Sequence, residues 1–372
     1  MLSRRGFLNT AYATLPASIL TGGSGDKPNL LLILARQWRQ TFDLGESGLS
    51  LPNLEQLARS GMQFDRAYSA CPSAAAAQTA LLTGRYPFAS GQPTIATQLK
   101  QSGYETELSV GIDSAIRFLK QKRQRPFGLI VAWDAAPRPS GSAALRNALT
   151  LRPNVPEDYQ EQARTELAAY DECCRALDAE IGRLMRTLEE QRITDETIVV
   201  FTSDHGAMLG SQGLEGDGFP YEEATHVPLI IRFPRRLRSG HTDALVSTVD
   251  LMPTLLSLCG AEPPDGVQGM DLSAWLTRGE GTRPESIYSV GQLGTPEEWR
   301  MVVRGLDKLV VNRELNVTHL YNLGSDPFEM NDLLQDKTQD LKRDELKALL
   351  SEWMRRLGDG VDRSGLKKRD SR

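Results

Sequence analysis

Uninterrupted apolar runs, rather than alternating ones, mark the first strands that this sequence predicts. Five leucine and isoleucine residues follow Asn29, and similar runs cover residues 127–133, 197–202 and 228–233. Such runs are typical of strands that are covered on both faces, as in parallel sheets packed by helices. They predict a buried central sheet.

Apolar residues at helical spacing occur between these strands. The spacing predicts a short helix over residues 52–61, a long helix over about 156–191 and another short helix over 251–259. Strands that alternate with helices indicate an α/β fold. We therefore expect a central, mostly parallel sheet with helices on both faces.

The last quarter of the chain has a different pattern. Alternation predicts three antiparallel strands, over residues 299–304, 308–312 and 319–321, and helical spacing predicts a closing helix over 340–357. The inward face of that helix is expected to carry five apolar residues (Leu341, Leu346, Leu349, Leu350 and Met354). These elements predict a small antiparallel sheet packed against one helix.

The patterns divide the chain into four parts. We expect an N-terminal segment over residues 1–25 and an α/β domain over 26–290. A small C-terminal subdomain is predicted over 291–360, followed by a disordered basic tail over 361–372.

Composition narrows the class of protein. The chain has 372 residues, of which 40% are apolar and 24% charged, values that are typical of a folded globular protein. Its net charge of −5 argues against a broad nucleic-acid-binding surface. Since the sequence has no run of about 18 apolar residues, it predicts no transmembrane segment.

The N-terminal segment has the features of a targeting signal. Arg4 and Arg5 precede a mildly apolar stretch over residues 7–20. This arrangement resembles a bacterial twin-arginine export signal, which would place the mature protein in the periplasm. The alternative is a basic, frayed N-terminus that has no targeting role.

The four cysteines do not indicate a metal site. Cys71, Cys173, Cys174 and Cys259 lack both C-x-x-C spacing and neighbouring histidines. In an exported chain a bridge between Cys71 and Cys259 is one interpretation, and small buried thiols are the other.

Seven short segments stand in a characteristic order along the chain. They are residues 29–35, 51–64, 81–87 (Leu-Leu-Thr-Gly-Arg-Tyr-Pro), 201–206 (Phe-Thr-Ser-Asp-His-Gly), 227–230, 249–255, and 320–323 together with 326–329. In sequence and order these segments resemble the sulfatase family of the alkaline-phosphatase superfamily. The resemblance implies that fold and, as an activity, hydrolysis of sulfuric esters.

The resemblance also implies a particular active site. In the family a divalent cation, usually calcium, is held by two early aspartates, a late aspartate with asparagine or histidine, and the nucleophile. That nucleophile is a cysteine or serine oxidised to formylglycine. Arginine, lysine and histidine neutralise the sulfate oxygens, because a transferring sulfuryl group needs positive charge at those oxygens.

The metal-ligand positions are mostly changed in this chain. Arg36 and Gln37 stand where the family has its two early aspartates, and only Asp204 and His205 remain. The calcium-ligand set is therefore incomplete, since calcium takes about 6–8 oxygen ligands. We hypothesise that Arg36 pairs with Asp204 and supplies the charge of the missing cation.

The nucleophile loop has changed as well. Ala74 stands at the nucleophile position and Gln78 at the position of the loop arginine. The middle histidine corresponds to Pro137, and the late lysine corresponds to Asp217. Without these groups the family mechanism has neither its nucleophile nor most of its cations.

Several residues keep two interpretations. Ser73, with Cys71 beside it, is either a shifted nucleophile or part of a loop that kept only its packing. Asp204 with His205 is either a residual metal or acid–base site or a hydrogen-bonded strand end. His226 is either a pocket residue or a partly exposed loop histidine.

Three functional hypotheses follow from these residues. The first is an exported sulfatase-fold protein with a degenerate site, which is retained to bind a sulfated or other anionic carbohydrate, a small-molecule ester or a partner. The second is a working sulfate or phosphate ester hydrolase rebuilt around Asp204, His205 and Ser73. The third is a purely structural or interaction protein.

Overall fold

A computed structural model describes residues 27–40, 49–88, 91–133 and 143–360 of the chain. The predicted export signal, the basic tail and Pro137 lie outside these described residues.

The described residues contain two β-sheets. The strands are β1 (Asn29–Ala35), β2 (Met62–Tyr68), β3 (Glu105–Val110), β4 (Phe127–Trp133), β5 (Thr197–Ser203), β6 (His226–Arg232), β7 (Gly240–Ser247), β8 (Ser286–Gly291), β9 (Trp299–Arg304), β10 (Asp307–Asn312) and β11 (Val317–Asn322). The larger sheet has seven strands in the order β3-β4-β1-β5-β6-β2-β7. Only β6 runs antiparallel to its neighbours, so the predicted mostly parallel sheet is confirmed.

Helices cover both faces of this sheet. They are α1 (Pro52–Ser60), α2 (Ala74–Thr83), α3 (Ile95–Gln101), α4 (Ile112–Leu119), α5 (Ala143–Ala148), α6 (Gln160–Glu190), α7 (Glu222–Thr225), α8 (Leu251–Leu258), α9 (Ser273–Arg278) and α10 (Asp340–Leu357). Because strand side chains alternate between faces, the sheet separates two apolar clusters. The cluster on one face contains residues of α1, α4 and α6, and the other contains residues of α2, α3 and α8.

The long helix α6 also completes the start of α1. The N-cap residue of α1, Leu51, has no side-chain capping hydrogen bond. Instead, the Asp178 carboxylate on α6 accepts hydrogen bonds from the backbone N–H of Leu54 at 2.8 Å and of Asn53 at 3.4 Å. The orphan donors of a helix N-terminus are thereby satisfied from a neighbouring helix.

The smaller sheet is antiparallel, with the order β11-β10-β9-β8, and α10 packs on it as predicted. It begins with β8 at Ser286, slightly before the predicted boundary at residue 291. A buried Arg300 on β9 binds Asp359 through two hydrogen bonds, of 2.9 and 2.8 Å. Since Asp359 follows α10 directly, this ion pair holds the end of the helix against the sheet.

One of the five predictions for the inward face of α10 is wrong. Leu341 is 74% exposed, whereas Leu346, Leu350 and Met354 are buried and Leu349 is half-buried. Leu341 precedes Leu346 by five residues, which turns it about 140° away from the buried stripe. An apolar side chain in the first turn of this helix therefore faces solvent.

The cysteines form no bridge in this structure. Cys71 and Cys259 are both free, and they lie in different apolar clusters. Burial raises the pKa of each thiol to about 12. Of the two interpretations, the structure therefore shows the buried thiols.

No helix within the described ranges is both long and apolar enough to cross a membrane.

Candidate functional site

The candidate site lies at the carboxyl ends of two neighbouring strands. β1 and β5 are parallel and adjacent, with Ala35 paired to Ser203. The residues that follow these two strands, Arg36 and Asp204, therefore emerge side by side at one edge of the sheet. This edge is where α/β proteins usually bind ligands.

Nitrogen donors surround the Asp204 carboxylate, which is fully buried. Oδ1 accepts hydrogen bonds from the backbone N–H of Gln37 at 3.0 Å and of His205 at 2.8 Å. Oδ2 accepts one from the Gln78 amide at 3.3 Å and lies 3.9 Å from Arg36 Nε. An ionised carboxylate offers about four acceptor positions, so these three hydrogen bonds use most of its capacity.

The ion pair between Arg36 and Asp204 confirms a prediction from the sequence. The side chain of Arg36 is 37% exposed while that of Asp204 is inaccessible. The guanidinium thus compensates a buried charge while the side chain as a whole stays partly exposed. A buried carboxylate without such a partner would be strongly unfavourable.

Gln37 connects Asp204 to a second carboxylate. Its side-chain amide donates to Asp217 Oδ2 at 3.3 Å. Its backbone has a φ of 56°, in the left-handed region that non-glycine residues seldom adopt. This conformation accompanies the hydrogen bond from its N–H to Asp204.

His205 is buried beside both carboxylates. Its Nδ1 lies 2.8 Å from the Gly206 carbonyl oxygen, which requires a proton on that nitrogen. Its Nε2 lies 3.4 Å from Asp217 Oδ2 and 3.8 Å from Asp204 Oδ1. With those distances and angles Nε2 makes no hydrogen bond within the described part of the chain.

The backbone around His205 is held by close packing. A Cβ on Gly206 would lie 1.9 Å from the carbonyl oxygen of Glu223 on α7. Gly206 also donates its N–H to the Ala224 carbonyl at 2.9 Å. Only glycine fits this approach, which accounts for the glycine of the Asp-His-Gly sequence independently of any chemistry.

The nucleophile position lies at the start of a helix. Ala74 is the first residue of α2, and Ser73 precedes it as the N-cap residue. The Ser73 side chain makes no capping hydrogen bond. Gln78, one turn further along α2, points its amide at Asp204. The structure therefore places the altered nucleophile loop beside the carboxylate, as the resemblance implies.

Cys71 is close to this group but is not poised as a nucleophile. Burial raises its pKa to about 12, and the charge of Asp217 adds to the shift. The reactive form of cysteine is the thiolate. At neutral pH the Cys71 thiol therefore stays protonated, which argues against its use as a shifted nucleophile.

The small sheet holds the loop that carries Asp217. The next residue, Gly218, accepts hydrogen bonds at its carbonyl from Trp299 Nε1 at 2.7 Å and Gln292 Nε2 at 3.3 Å. Earlier in the loop, Gln212 donates to two backbone carbonyls between β11 and α10. Sequence reasoning missed these contacts, because no motif links residues so distant in sequence.

The ring of His226 has a different set of contacts. Its Nε2 lies 2.9 Å from the Asp65 carbonyl oxygen and its Nδ1 lies 3.2 Å from Glu222 Oε2. The ring also stacks on Tyr68. These contacts place His226 in a buried ionic network rather than with Asp204.

That network crosses from the small sheet to the large one. Lys308 on β10 is fully buried and lies 3.0 Å from Glu222 Oε1 and 2.7 Å from Glu329 Oε1. Burial acts to raise the pKa of Glu222, but Lys308 and His226 hold it below its usual value. Burial raises the pKa of Glu329 to about 8 despite the opposing charge of Lys308. No motif or periodic pattern predicts this network from the sequence.

The residues present do not fit calcium, the cation that the family resemblance implies. Asp204 already accepts hydrogen bonds from three nitrogen donors and forms an ion pair with the guanidinium of Arg36. The described residues contain no group of three or more histidine, cysteine, aspartate or glutamate side chains placed to hold a metal ion. A hard dication needs several free oxygen ligands, so we derive no metal-dependent step for this site.

Comparison with known proteins gives consistent family matches. The family model for sulfatases matches residues 28–128 and 109–261. A second model, described as the C-terminal part of N-sulphoglucosamine sulphohydrolase, matches residues 210–356. Together the matched ranges extend from the start of β1 nearly to the end of α10.

Individual proteins show the same relationship. An Ulvan-active sulfatase of Formosa agariphila is 25% identical over 90% of this chain and 82% of its own length. An N-acetylglucosamine-6-O-sulfatase of Bacteroides thetaiotaomicron is 29% identical over 66% of this chain and 45% of its own length. A crystal structure from Bacteroides fragilis, described as a sulfatase, has a TM-score of 0.79 at 20% identity, with 89% of this chain and 96% of the other covered.

Proposed function

The chain belongs to the sulfatase family, and we propose that it is a member that does not hydrolyse sulfate esters by the family's route. The nitrogen donors that fill the Asp204 carboxylate carry this proposal. They occupy the oxygens that a catalytic cation would need. Fold alone does not establish activity, so the site's own chemistry decides the assignment.

The residues available for attack support the same conclusion. The methyl group of Ala74 has no lone pair and cannot be oxidised to an aldehyde hydrate. The nearby Cys71 thiol is protonated at neutral pH because burial raises its pKa. The Ser73 side chain makes no capping hydrogen bond at the start of α2. The described contacts place no general base beside its hydroxyl.

We propose that the role retained is recognition of a sulfated or other anionic carbohydrate. The relatives named above act, by their names, on ulvan and on an N-acetylglucosamine 6-O-sulfate. In this chain the partly exposed guanidinium of Arg36 is the cation that such a ligand would meet. Asp217 opposes it with a carboxylate that is 28% exposed, so we expect weak, salt-sensitive binding.

Hydrolysis and binding are tested together on the purified full chain. We expect turnover of an aryl sulfate and of an aryl phosphate to fall roughly a million-fold short of that of an enzyme that keeps its nucleophile. Calorimetry should show saturable binding of N-acetylglucosamine 6-sulfate and none of the unsulfated sugar. Equal binding of the two sugars would contradict the recognition role.

The second hypothesis, a working hydrolase with a rebuilt site, predicts a different result in the same turnover assay. Turnover that is lost in both Asp204→Asn and Ser73→Ala would establish a rebuilt active site and overturn the proposal. Ser73→Ala is a clean variant, because the Ser73 side chain makes no capping bond and its loss should leave the melting temperature unchanged.

We also propose that the chain is exported in the folded state through its twin-arginine segment. Replacing Arg4 and Arg5 by lysine is expected to retain the protein in the cytoplasm of a bacterial host, as measured by fractionation and immunoblotting. Deleting residues 361–372 instead is the control and should leave export unchanged. Periplasmic accumulation of the double lysine variant would refute this route.

A further inference from the structure

We propose that a polar cleft between α1 and α6 is a second binding site, which takes a sulfate group carried on a carbohydrate chain. The cleft has a volume of about 200 Å³, and its lining includes Arg186 on α6 and Arg232 at the end of β6. The inference goes beyond the proposed function, because the cleft is separate from the Asp204 site and needs no ligand there.

The cleft lies at the opposite edge of the large sheet from Asp204. Thr194, which lines the cleft, comes three residues before β5, whereas Asp204 directly follows that strand. Arg232 on antiparallel β6 is paired with Val199 near the start of β5. Since β5 has seven residues, it spans about 20 Å. A sulfate group in the cleft therefore lies too far away to contact Arg36 as well.

The walls of the cleft are fixed before any ligand binds. The Asn53 side chain on α1 donates to Asp178 on α6 at 2.8 Å. A Cβ on Gly182 would lie 2.3 Å from the Asn53 amide oxygen, so the two helices pack closely at this glycine. Leu57 and Met185 add apolar surface to the lining. A largely preformed cleft with a few polar groups is typical of ligand sites.

Arg232 is the anchored cation of the cleft. Its Nη1 donates to the Thr194 carbonyl at 3.0 Å, and its Nη2 lies 3.5 Å from Asp195 Oδ1. A guanidinium has five N–H donors, so these contacts leave donors for a ligand. Arginine suits a tetrahedral oxyanion because its planar donors can bind two of the oxygens at once.

Unpaired arginines surround this anchored one. Arg186 in the lining and Arg192 in the turn after α6 are exposed and form no ion pair within the described part of the chain. The same is true of Arg236 and Arg238 in the loop between β6 and β7. Among the described lining residues Glu189 is the one acid. Such an excess of positive charge beside a cleft attracts an anionic ligand.

The loop between β6 and β7 borders the cleft at both ends. It begins directly after Arg232, and it ends at Gly240, whose N–H donates to the Gly61 carbonyl at 3.0 Å. Gly61 follows Ser60, which lines the cleft. The remaining arginine of the loop is bound to Glu196 at 2.9 Å. The two unpaired loop arginines are thus placed to meet further sulfates of a chain that extends from the cleft.

The lining favours a carbohydrate over a nucleic acid. Gln56, Ser60 and Glu189 offer amide, hydroxyl and carboxylate groups, which can hydrogen-bond the hydroxyls of a sugar. None of the described lining residues is aromatic. Single-stranded nucleic acids, by contrast, are bound largely through stacking of their bases on aromatic rings.

The test uses the full chain and a heparin-derived octasaccharide as the probe. Calorimetry compares the native chain with Arg186→Gln, with Arg236→Gln/Arg238→Gln and with Arg355→Gln, whose arginine is exposed on α10 and serves as the matched control. Each cleft variant should weaken binding about tenfold, while the control should bind as the native chain does. All four chains should melt at the same temperature, because the substituted arginines form no ion pair among the described residues.

Hydrogen exchange locates the bound chain and separates this site from the one at Asp204. The octasaccharide should slow amide exchange in residues 53–60, 182–194 and 232–240. Protection there without protection at residues 36–37 would uphold the cleft even if the proposed recognition by Arg36 fails. Protection at residues 36–37 alone, or a loss of affinity in Arg355→Gln equal to that in Arg186→Gln, would overturn the inference.

Three further probes identify the ligand. Inorganic sulfate, a desulfated octasaccharide and a single-stranded RNA of similar charge should each bind at least about tenfold more weakly than the sulfated octasaccharide. Equal binding of inorganic sulfate would show a site for the free anion, and equal binding of RNA would show a nucleic-acid surface. Equal binding of the desulfated chain would show that the arginines do not select sulfate. Each of these three results would overturn the assignment to a sulfated carbohydrate.

Discussion

Lys308→Met is expected to lower the free energy of unfolding by about 3–5 kcal/mol, the cost of leaving buried charges without their partner. Lys308 is fully buried and faces Glu222 at 3.0 Å and Glu329 at 2.7 Å. Methionine keeps most of the side-chain volume but removes the ammonium. Glu222, whose pKa Lys308 helps to hold low, would then keep a buried charge without the lysine beside it.

Urea unfolding monitored by fluorescence measures this effect. Lys342→Met is the matched control, since the same substitution there removes an ion pair with Asp307 at the surface, where the lysine is 36% exposed. We expect that control to cost about 0.2–1 kcal/mol. A second variant, Lys308→Met/Glu222→Gln, should recover part of the loss, because it also removes the buried charge that Lys308 compensates. Equal costs at Lys308 and Lys342 would show that the buried network does not contribute in this way.

Stability is also expected to fall by about 2 kcal/mol as pH rises from 6 to 8. Burial raises the pKa of Glu329 to about 8 against the opposing charge of Lys308, with Glu222 and Glu223 adding to the shift. A carboxyl whose pKa is higher in the folded than in the unfolded state binds more protons when folded. Its stabilising contribution is therefore complete below the unfolded pKa and is lost as pH rises through about 8.

The pH window is chosen to isolate Glu329. Burial also raises the pKa of Asp250, but only to about 6, so its contribution is mostly lost before the window begins. Chemical unfolding at pH 6, 7 and 8 measures the slope for the native chain and for Glu329→Gln. The glutamine variant should show a flatter profile. A native profile that is level or rises with pH would contradict the assignment.

The sequence predicts most of the strands and helices well, because the pattern that predicts each of them lies within the element itself. Continuous apolar runs marked β1, β4 and β5, and helical spacing marked α6 and α10. No apolar run predicted β3, whose sequence is Glu-Thr-Glu-Leu-Ser-Val. This strand lies at an edge of the sheet, and its Leu108 and Val110 are exposed. Because an edge strand is less buried and carries charged residues, its sequence lacks the continuous apolar run that predicts a central strand.

The site is predictable in part, and for a different reason. Motif register assigned Arg36, Gln37, Gln78 and Asp204 to positions of one family site, and the structure brings them together. The same register suggested a pocket role for His226, but its ring binds Glu222 and the Asp65 carbonyl instead. A backbone position follows from the family pattern, whereas the direction of a side chain depends on neighbours that are distant in sequence.

The contacts at Gly218 also bear on when the site can form during synthesis. Its carbonyl is held by Gln292 and Trp299, which follow it by 74 and 81 residues. Translation delivers the N-terminal region first, so Arg36 and Asp204 emerge long before the residues that fix Asp217. The site therefore assembles only after Gln292 and Trp299 have left the ribosome. A chain that crosses the membrane already folded would complete this step in the cytoplasm, before transport begins.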